Sequence, residues 1–211
     1  MSSPTDHAED YQDFLNWVAN KRVNGTRATG DPAKHSFIPS DRLDVYLNEA
    51  NRLSRLLKAV FPGDTQPPVA PSAIRGKESS SKYCKVFAIL LLIGKGRFIP
   101  NFTQIPQLSD SYLPFGVRPS DFPRYVGKDQ DFFTEFFENQ WIFCAYEMHF
   151  NHILKLEEER ILPFICEERL GKGGSAEVHK IVLHDTYDRL RPPEEKRERN
   201  VSKTAAAVCL L

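Results

Sequence analysis

A glycine-rich segment is the part of this sequence whose residue types and spacing could do chemistry. Residues 170–178 are Leu-Gly-Lys-Gly-Gly-Ser-Ala-Glu-Val, with Gly171 and Gly173 two residues apart and Ala176 three residues further on. Glycine adopts backbone angles that other residues avoid, and it has no side chain to keep a ligand away. Backbone N–H groups in such a turn can point at phosphate oxygens, so the segment predicts a nucleotide-binding turn.

Three nucleotide-binding turns use glycines in this way, and their patterns differ. A P-loop needs four residues between its glycines and then Gly-Lys-Ser/Thr, which no stretch of the chain provides. The dinucleotide fingerprint fits Gly171, Gly173 and Ala176, but it should open a helix, and residues 178–183 favour a strand. The protein-kinase loop, G-x-G-x-x-G-x-V, is a flap between two strands and fits with Ala176 in place of its third glycine. A plain hairpin turn that binds nothing is the remaining alternative.

Residues 160–185 resemble the first hairpin of a protein-kinase amino-terminal lobe. The resemblance implies that Leu170 and Val178 press on the adenine ring. It also implies that the loop backbone covers the phosphates, through Gly171, Lys172, Gly173, Gly174, Ser175 and Ala176. Ser175 replaces the aromatic residue usual at the flap tip, which would weaken the shielding of the phosphates from water. The family implied is that of serine/threonine protein kinases, which transfer a phosphoryl group from ATP to protein.

The helical region before this segment is similar to the region that precedes the kinase domain in a group of fungal protein kinases. The similarity lies in residues 85–96, Lys-Val-Phe-Ala-Ile-Leu-Leu-Leu-Ile-Gly-Lys-Gly, and in Leu113-Pro114-Phe115.

The other parts of a phosphoryl-transfer site are not found in the sequence. The motifs His-Arg-Asp, Asp-Phe-Gly and Ala-Pro-Glu do not occur. Lys203 is the candidate for the lysine of the third strand, after a charged, loop-like stretch at 191–199. We therefore predict no catalytic residue and no metal ligand, weak ATP binding without a Mg²⁺ site, and a kinase chain truncated before its catalytic elements.

Composition limits the classes of partner. Lys+Arg and Asp+Glu both number 28, and this balance argues against a nucleic-acid partner. Four cysteines without C-x-x-C spacing predict neither a zinc site nor a disulfide framework, and they fit a cytoplasmic or nuclear, intracellular protein. The polar start is not a signal peptide, and the longest apolar run, residues 86–93, is too short to span a membrane.

The expected fold class is α+β, with a mostly α-helical region followed by a truncated kinase-like hairpin. We predict an amino-terminal helix and loop at 1–39, a helical region at 40–159 with a Pro/Ser-rich linker at 62–82, and a truncated lobe with a loose tail at 160–211. Steps of three and four between apolar residues predict one amphipathic helix over 40–60, and a leucine-rich run predicts another at 83–93.

Two further elements are predicted. Aromatic density without Gly or Pro predicts a core helix through 132–155, within a stretch at 129–159 that forms one long helix or two. A hairpin is predicted with strands near 164–171 and 175–184. Two alternative functions stay open: a helical interaction or regulatory module, which could dock a protein partner, and a dinucleotide-binding unit.

Overall fold

The computed structural model of the chain describes residues 4–27, 35–76, 81–124, 131–149, 158–172, 177–190 and 205–210. The chain divides into two compact units, each made of two separate stretches. Unit 1 contains residues 1–22 and 38–144, and unit 2 contains residues 23–37 and 145–211. Helices build unit 1 and strands build unit 2, so the fold is mixed and consistent with the α+β class. These units divide the chain at other points than the sequence-based regions 1–39, 40–159 and 160–211.

Unit 1 is assembled from helices of modest length. They are α1 (Pro4–Lys21), α2 (Ser40–Asn48), α3 (Arg52–Val60), α4 (Pro71–Arg75), α5 (Cys84–Leu92), α6 (Ile99–Thr103) and α7 (Phe133–Gln140). The predicted helix at 83–93 corresponds to α5 and is confirmed. Its residues from Val86 to Leu91 are all buried, which makes α5 the central helix of the unit 1 core.

The single helix predicted over 40–60 is wrong, because the chain breaks into α2 and α3. Asn51 adopts a left-handed backbone conformation with φ of 58°. Asparagine tolerates that conformation better than most residues, so a helix can end and restart there without losing its apolar face. Leu43 and Leu47 of α2 and Leu53, Leu56 and Leu57 of α3 remain buried in one core.

The Pro/Ser-rich linker predicted at 62–82 also needs correction. It contains the short helix α4, which starts at Pro71, a residue whose fixed φ suits the first turn. Val69 and Ile74 are buried in the unit 1 core, so this part of the chain is packed.

The long helix predicted through 132–155 is wrong for residues 141–149, and residues 150–155 lie outside the described residues. Helix α7 ends at Gln140, turns follow at 141–143, and Met148–His149 form a short strand, β3. The carbonyl of Ile142 accepts a hydrogen bond from Ile38 N–H at 2.7 Å, and Phe143, Cys144 and Ala145 are buried in succession. An apolar segment that is buried on every side can be either extended or helical. Its amino-acid composition does not distinguish these two conformations.

Unit 2 contains small sheets. Antiparallel β2 (His35–Phe37), β1 (Val23–Arg27) and β4 (Ile161–Leu162) form one sheet in that order, and β3 pairs in parallel with β7 (Asp188–Arg189). The loop predicted within 1–39 is therefore corrected, because residues 23–27 and 35–37 are strands. Gly25 permits this pairing, since a Cβ atom there would lie 2.7 Å from the carbonyl oxygen of Leu162.

The third sheet contains the predicted hairpin, which is confirmed. Strands β5 (Phe164–Lys172) and β6 (Glu177–Leu183) pair antiparallel, and β8 (Ala205–Leu210) adds antiparallel to the far side of β6. The loose tail predicted for the end of the chain is corrected for residues 205–210, because they form a third strand. Apolar residues Ala205 to Leu210 suit a strand that pairs through its backbone.

Candidate functional site

The glycine-rich segment lies at the tip of the β5–β6 hairpin. Gly171 pairs with Val178, and Lys172 pairs with Glu177, so the two strands approach the turn in close register. Gly173, Gly174, Ser175 and Ala176 lie outside the described residues. The strand that starts at Glu177 does not fit the dinucleotide fingerprint, which requires a helix directly after Ala176.

Two residues of β5 have no cross-strand partner. The register shifts between Phe164 and Cys166 and again between Arg169 and Gly171, which leaves Ile165 and Leu170 as the extra residues of two β-bulges. These two are also the exposed large hydrophobic residues of β5, at 41% and 57% exposure. Bulges redirect side chains and are common beside active sites. The bulge at Leu170 presents an apolar side chain to solvent immediately before the glycine turn.

Gly171 is a glycine that the fold itself does not require. A Cβ atom built on Gly171 meets no atom of the described residues within 4 Å, and the φ of Gly171 lies outside the left-handed range. Gly96 is different, since a Cβ there would lie 2.8 Å from the Val60 side chain. No described residue fills the space beside Gly171, so the absence of a side chain there leaves room for a ligand against the backbone.

The hairpin is anchored at its base by a small cluster of buried apolar side chains. Phe164, Ile181 and Leu183 are buried with Leu162, and Tyr146, Met148 and Leu190 pack against this cluster. Towards the tip, Glu168 and Lys180 are both exposed and form an ion pair with 3.5 Å between Oε2 and Nζ. The pair spans directly opposed positions of β5 and β6 and fixes their register on the solvent side.

The third strand of the sheet, β8, brings Cys209 and Leu210 beside the glycine turn. Ala205 pairs with Val182 near the hairpin base, whereas Cys209 pairs with Val178 and Leu210 with Glu177 beside the turn. Lys203, the predicted strand lysine, lies outside the described residues.

Sequence reasoning located the turn and its strands but missed the two bulges and the Glu168–Lys180 pair. No local pattern marks a bulge here, because Ile165 and Leu170 are ordinary strand residues whose exposure depends on the pairing with β6. A cross-strand ion pair likewise depends on register, which spacing along a single strand does not give.

Neither a metal cluster nor a membrane-spanning helix is found in the described part of the chain. No group of three or more His, Cys, Asp or Glu side chains among those residues could hold a metal ion. No helix there is long and apolar enough to cross a membrane.

Comparisons with known proteins give no relative for this chain. No protein-family model, curated protein or solved structure matches it. Functional inference therefore depends on the hairpin itself.

Proposed function

We propose that the β5–β6–β8 sheet binds ATP through its glycine-rich turn, as in the protein-kinase family that the segment resembles. The observation that carries the proposal is Gly171, a glycine near the end of β5 where a Cβ atom would meet no described residue and where φ is outside the left-handed range. Neither contact with a described residue nor the backbone angle requires glycine at position 171. A ligand that lies directly against the backbone would require it.

Leu170 supports the same ligand. Its side chain is 57% exposed and stands one residue before Gly171, at a bulge. An apolar side chain beside a phosphate-binding turn offers a surface to the flat face of adenine. At this exposure the Leu170 side chain contributes little hydrophobic stabilisation to the fold. Its burial against a ligand would therefore add favourable free energy to binding.

The binding we propose is weak. The three-stranded sheet contacts a nucleotide from one side, whereas tight small-ligand sites bury most of the ligand surface. A dissociation constant on the order of millimolar, about 4 kcal/mol, follows from contacts of that extent. Mg²⁺ should contribute little, because the motifs that supply carboxylate ligands in kinases are not in the sequence.

A titration of the purified chain with ATP, followed by NMR, tests the proposal. Gly171→Asp places a carboxylate where the phosphates should lie and should remove saturable binding. Gly116→Asp is the matched control, because Gly116 is also exposed and a Cβ atom there also meets no atom within 4 Å. Equal ATP binding by the two variants would contradict the proposal.

The same titration separates the alternative function. A helical interaction or regulatory module whose glycine turn binds nothing predicts no saturable ATP effect on the unaltered chain at up to about 20 mM, well above millimolar affinity. Adenosine and tripolyphosphate, titrated separately, assign the binding to the Leu170 side or to the turn backbone.

A further inference from the structure

A surface pocket of about 420 Å³ lies in unit 1, between the end of α1 and one face of α2. Trp17 and Lys21 line it from α1. The opposite side is lined by Asp41, Arg42, Val45 and Tyr46 of α2 and by Glu49 just after that helix. Its volume falls in the range of small-molecule sites, roughly 300–1,000 Å³.

One part of the pocket is lined by aromatic and apolar side chains. The Trp17 ring stacks on the Tyr46 ring with 4.2 Å between centroids, and the Arg52 guanidinium lies 4.7 Å from the Tyr46 centroid. Trp17 is partly exposed, and Val45 beside it is 66% exposed. These side chains leave apolar surface open to water, which a ligand of similar character would cover.

The other part of the pocket carries charges of both signs. Arg42 donates a hydrogen bond to the carbonyl oxygen of Lys21 at 3.4 Å, so the Arg42 guanidinium lies at the carboxyl end of α1, where Lys21 is the last helical residue. Asp41 stands beside Arg42 in the first turn of α2. Across the described residues, none of these three side chains forms an ion pair, whereas Glu49 at the far end is held by Arg52 at 2.7 Å.

The spacing of these groups defines the shape of a ligand. Val45 follows Asp41 by four residues, about one helical turn or 6 Å along α2. The unpaired charges are therefore at one end of the pocket and the apolar side chains begin one turn further on. A purely anionic ligand would be repelled by Asp41, and a purely cationic ligand would be repelled by Lys21 and Arg42. A head group with both charges suits all three.

We propose that this pocket binds a free α-amino acid with a large apolar side chain. The carboxylate lies between Lys21 and Arg42, the ammonium group lies at Asp41, and the side chain covers Val45 and the edge of Trp17. A free amino acid carries an ammonium and a carboxylate group side by side, whereas either end of a peptide carries only one of these charges. The two charges together therefore favour a free amino acid over a peptide end.

Titration with L-phenylalanine, followed by calorimetry and by NMR of backbone amides, tests the proposal. We expect saturable binding in the millimolar range or tighter, with shifts confined to the end of α1 and to α2. N-acetyl-L-phenylalanine lacks the ammonium charge and L-phenylalaninamide lacks the carboxylate, and each should bind at least fivefold more weakly. Glycine, which has the head group alone, should also bind at least fivefold more weakly.

Variants locate the site. Arg42→Gln should weaken L-phenylalanine at least fivefold, and its exposed position makes loss of folding easy to exclude by circular dichroism. Lys58→Gln, an exposed change on α3 outside the pocket, should leave the affinity unchanged. No saturable binding up to 20 mM, or equal affinity for the two singly charged analogues, would overturn the proposal. So would an unchanged affinity in Arg42→Gln. The ATP titration of unit 2 is unaffected by either result.

Discussion

Asp110 combines burial with hydrogen bonds that favour its charged form. Its two carboxylate oxygens accept hydrogen bonds from the backbone N–H groups of Lys85 and Val86, at 2.9 and 3.0 Å, in the first turn of α5. Burial nevertheless raises the pKa of Asp110 to about 6, against these hydrogen bonds and the nearby Lys85 and Lys82, which lower it. Asp110 therefore caps the first turn of α5, and burial of its charged carboxylate costs free energy.

The raised pKa of Asp110 predicts a pH dependence of stability. The folded state binds the proton more tightly than the unfolded state, so the group stabilises the fold below pH 4 and loses this contribution as pH rises through 6. A shift of this size corresponds to up to about 2–3 kcal/mol. Asp110→Asn should flatten the change in unfolding free energy between pH 4 and 7, measured by urea denaturation. The exposed Asp121→Asn variant is the control. An equally steep change in Asp110→Asn would contradict this assignment.

At the scale of elements, Gln140 links α7 to the segment around Phe115. The buried Gln140 side chain accepts a hydrogen bond from Phe115 N–H at 2.8 Å and donates one to the Phe115 carbonyl at 3.1 Å. Phe115 in turn stacks against Phe136 of α7, with 5.8 Å between ring centroids. One amide side chain thus satisfies both backbone groups of a buried residue.

Replacing this amide should be costly. Gln140→Leu leaves a buried N–H and a buried C=O without partners, which should lower the free energy of unfolding by about 2–4 kcal/mol. Gln104→Leu, at an exposed position on the same unit, should change it by less than about 0.5 kcal/mol. Urea denaturation of both variants gives the comparison, and a similar small effect of the two changes would count against the proposed role of Gln140.

The third strand of the hairpin sheet makes a separate prediction. Backbone pairing from Glu177–Leu210 to Val182–Ala205 places the β8 amides in a ladder. Alternate amides of residues 205–210 should therefore exchange with solvent much more slowly than those of an unpaired chain end. Hydrogen–deuterium exchange by NMR measures this. Uniformly fast exchange over 205–210 would support the loose tail that the sequence suggested.

The elements that could be predicted from the sequence are those determined by residues within their own segment. The hairpin follows from β-rich residues on both sides of a glycine turn, and α5 follows from one unbroken leucine-rich run. The failures have tertiary causes. Helix α7 stops at Gln140, where the chain continues into buried extended structure, and residues 23–27 become a strand because distant residues 161–162 pair with them. At the candidate site, Gly171 was predictable from spacing, whereas the exposure of Leu170 depends on a bulge in the pairing with β6.

At the scale of the whole molecule, the two proposed ligands belong to different units. The amino-acid pocket is built from α1 and α2 in unit 1, and the glycine turn belongs to unit 2. Neither site requires residues of the other, so each can be disabled separately by Arg42→Gln or Gly171→Asp.

We also predict that the purified chain transfers no phosphoryl group to itself or to generic protein substrates. Kinase catalysis needs a catalytic-loop aspartate and metal-binding side chains, and the motifs that supply them are not in the sequence. A radiolabelled ATP assay checks this, with Gly171→Asp as the control for contaminating kinases. Incorporation that is robust in the unaltered chain and lost in Gly171→Asp would disprove the prediction.

The most direct test of the central claim is to map where ATP touches the chain. Backbone amide shifts recorded during an ATP titration should change first and most in residues 170–178, with a dissociation constant on the order of millimolar. The changes should disappear in Gly171→Asp and persist in Gly116→Asp. Micromolar, Mg²⁺-dependent binding, or shifts centred on the aromatic segment around Trp141 with none at 170–178, would contradict the account of the glycine turn as the nucleotide site.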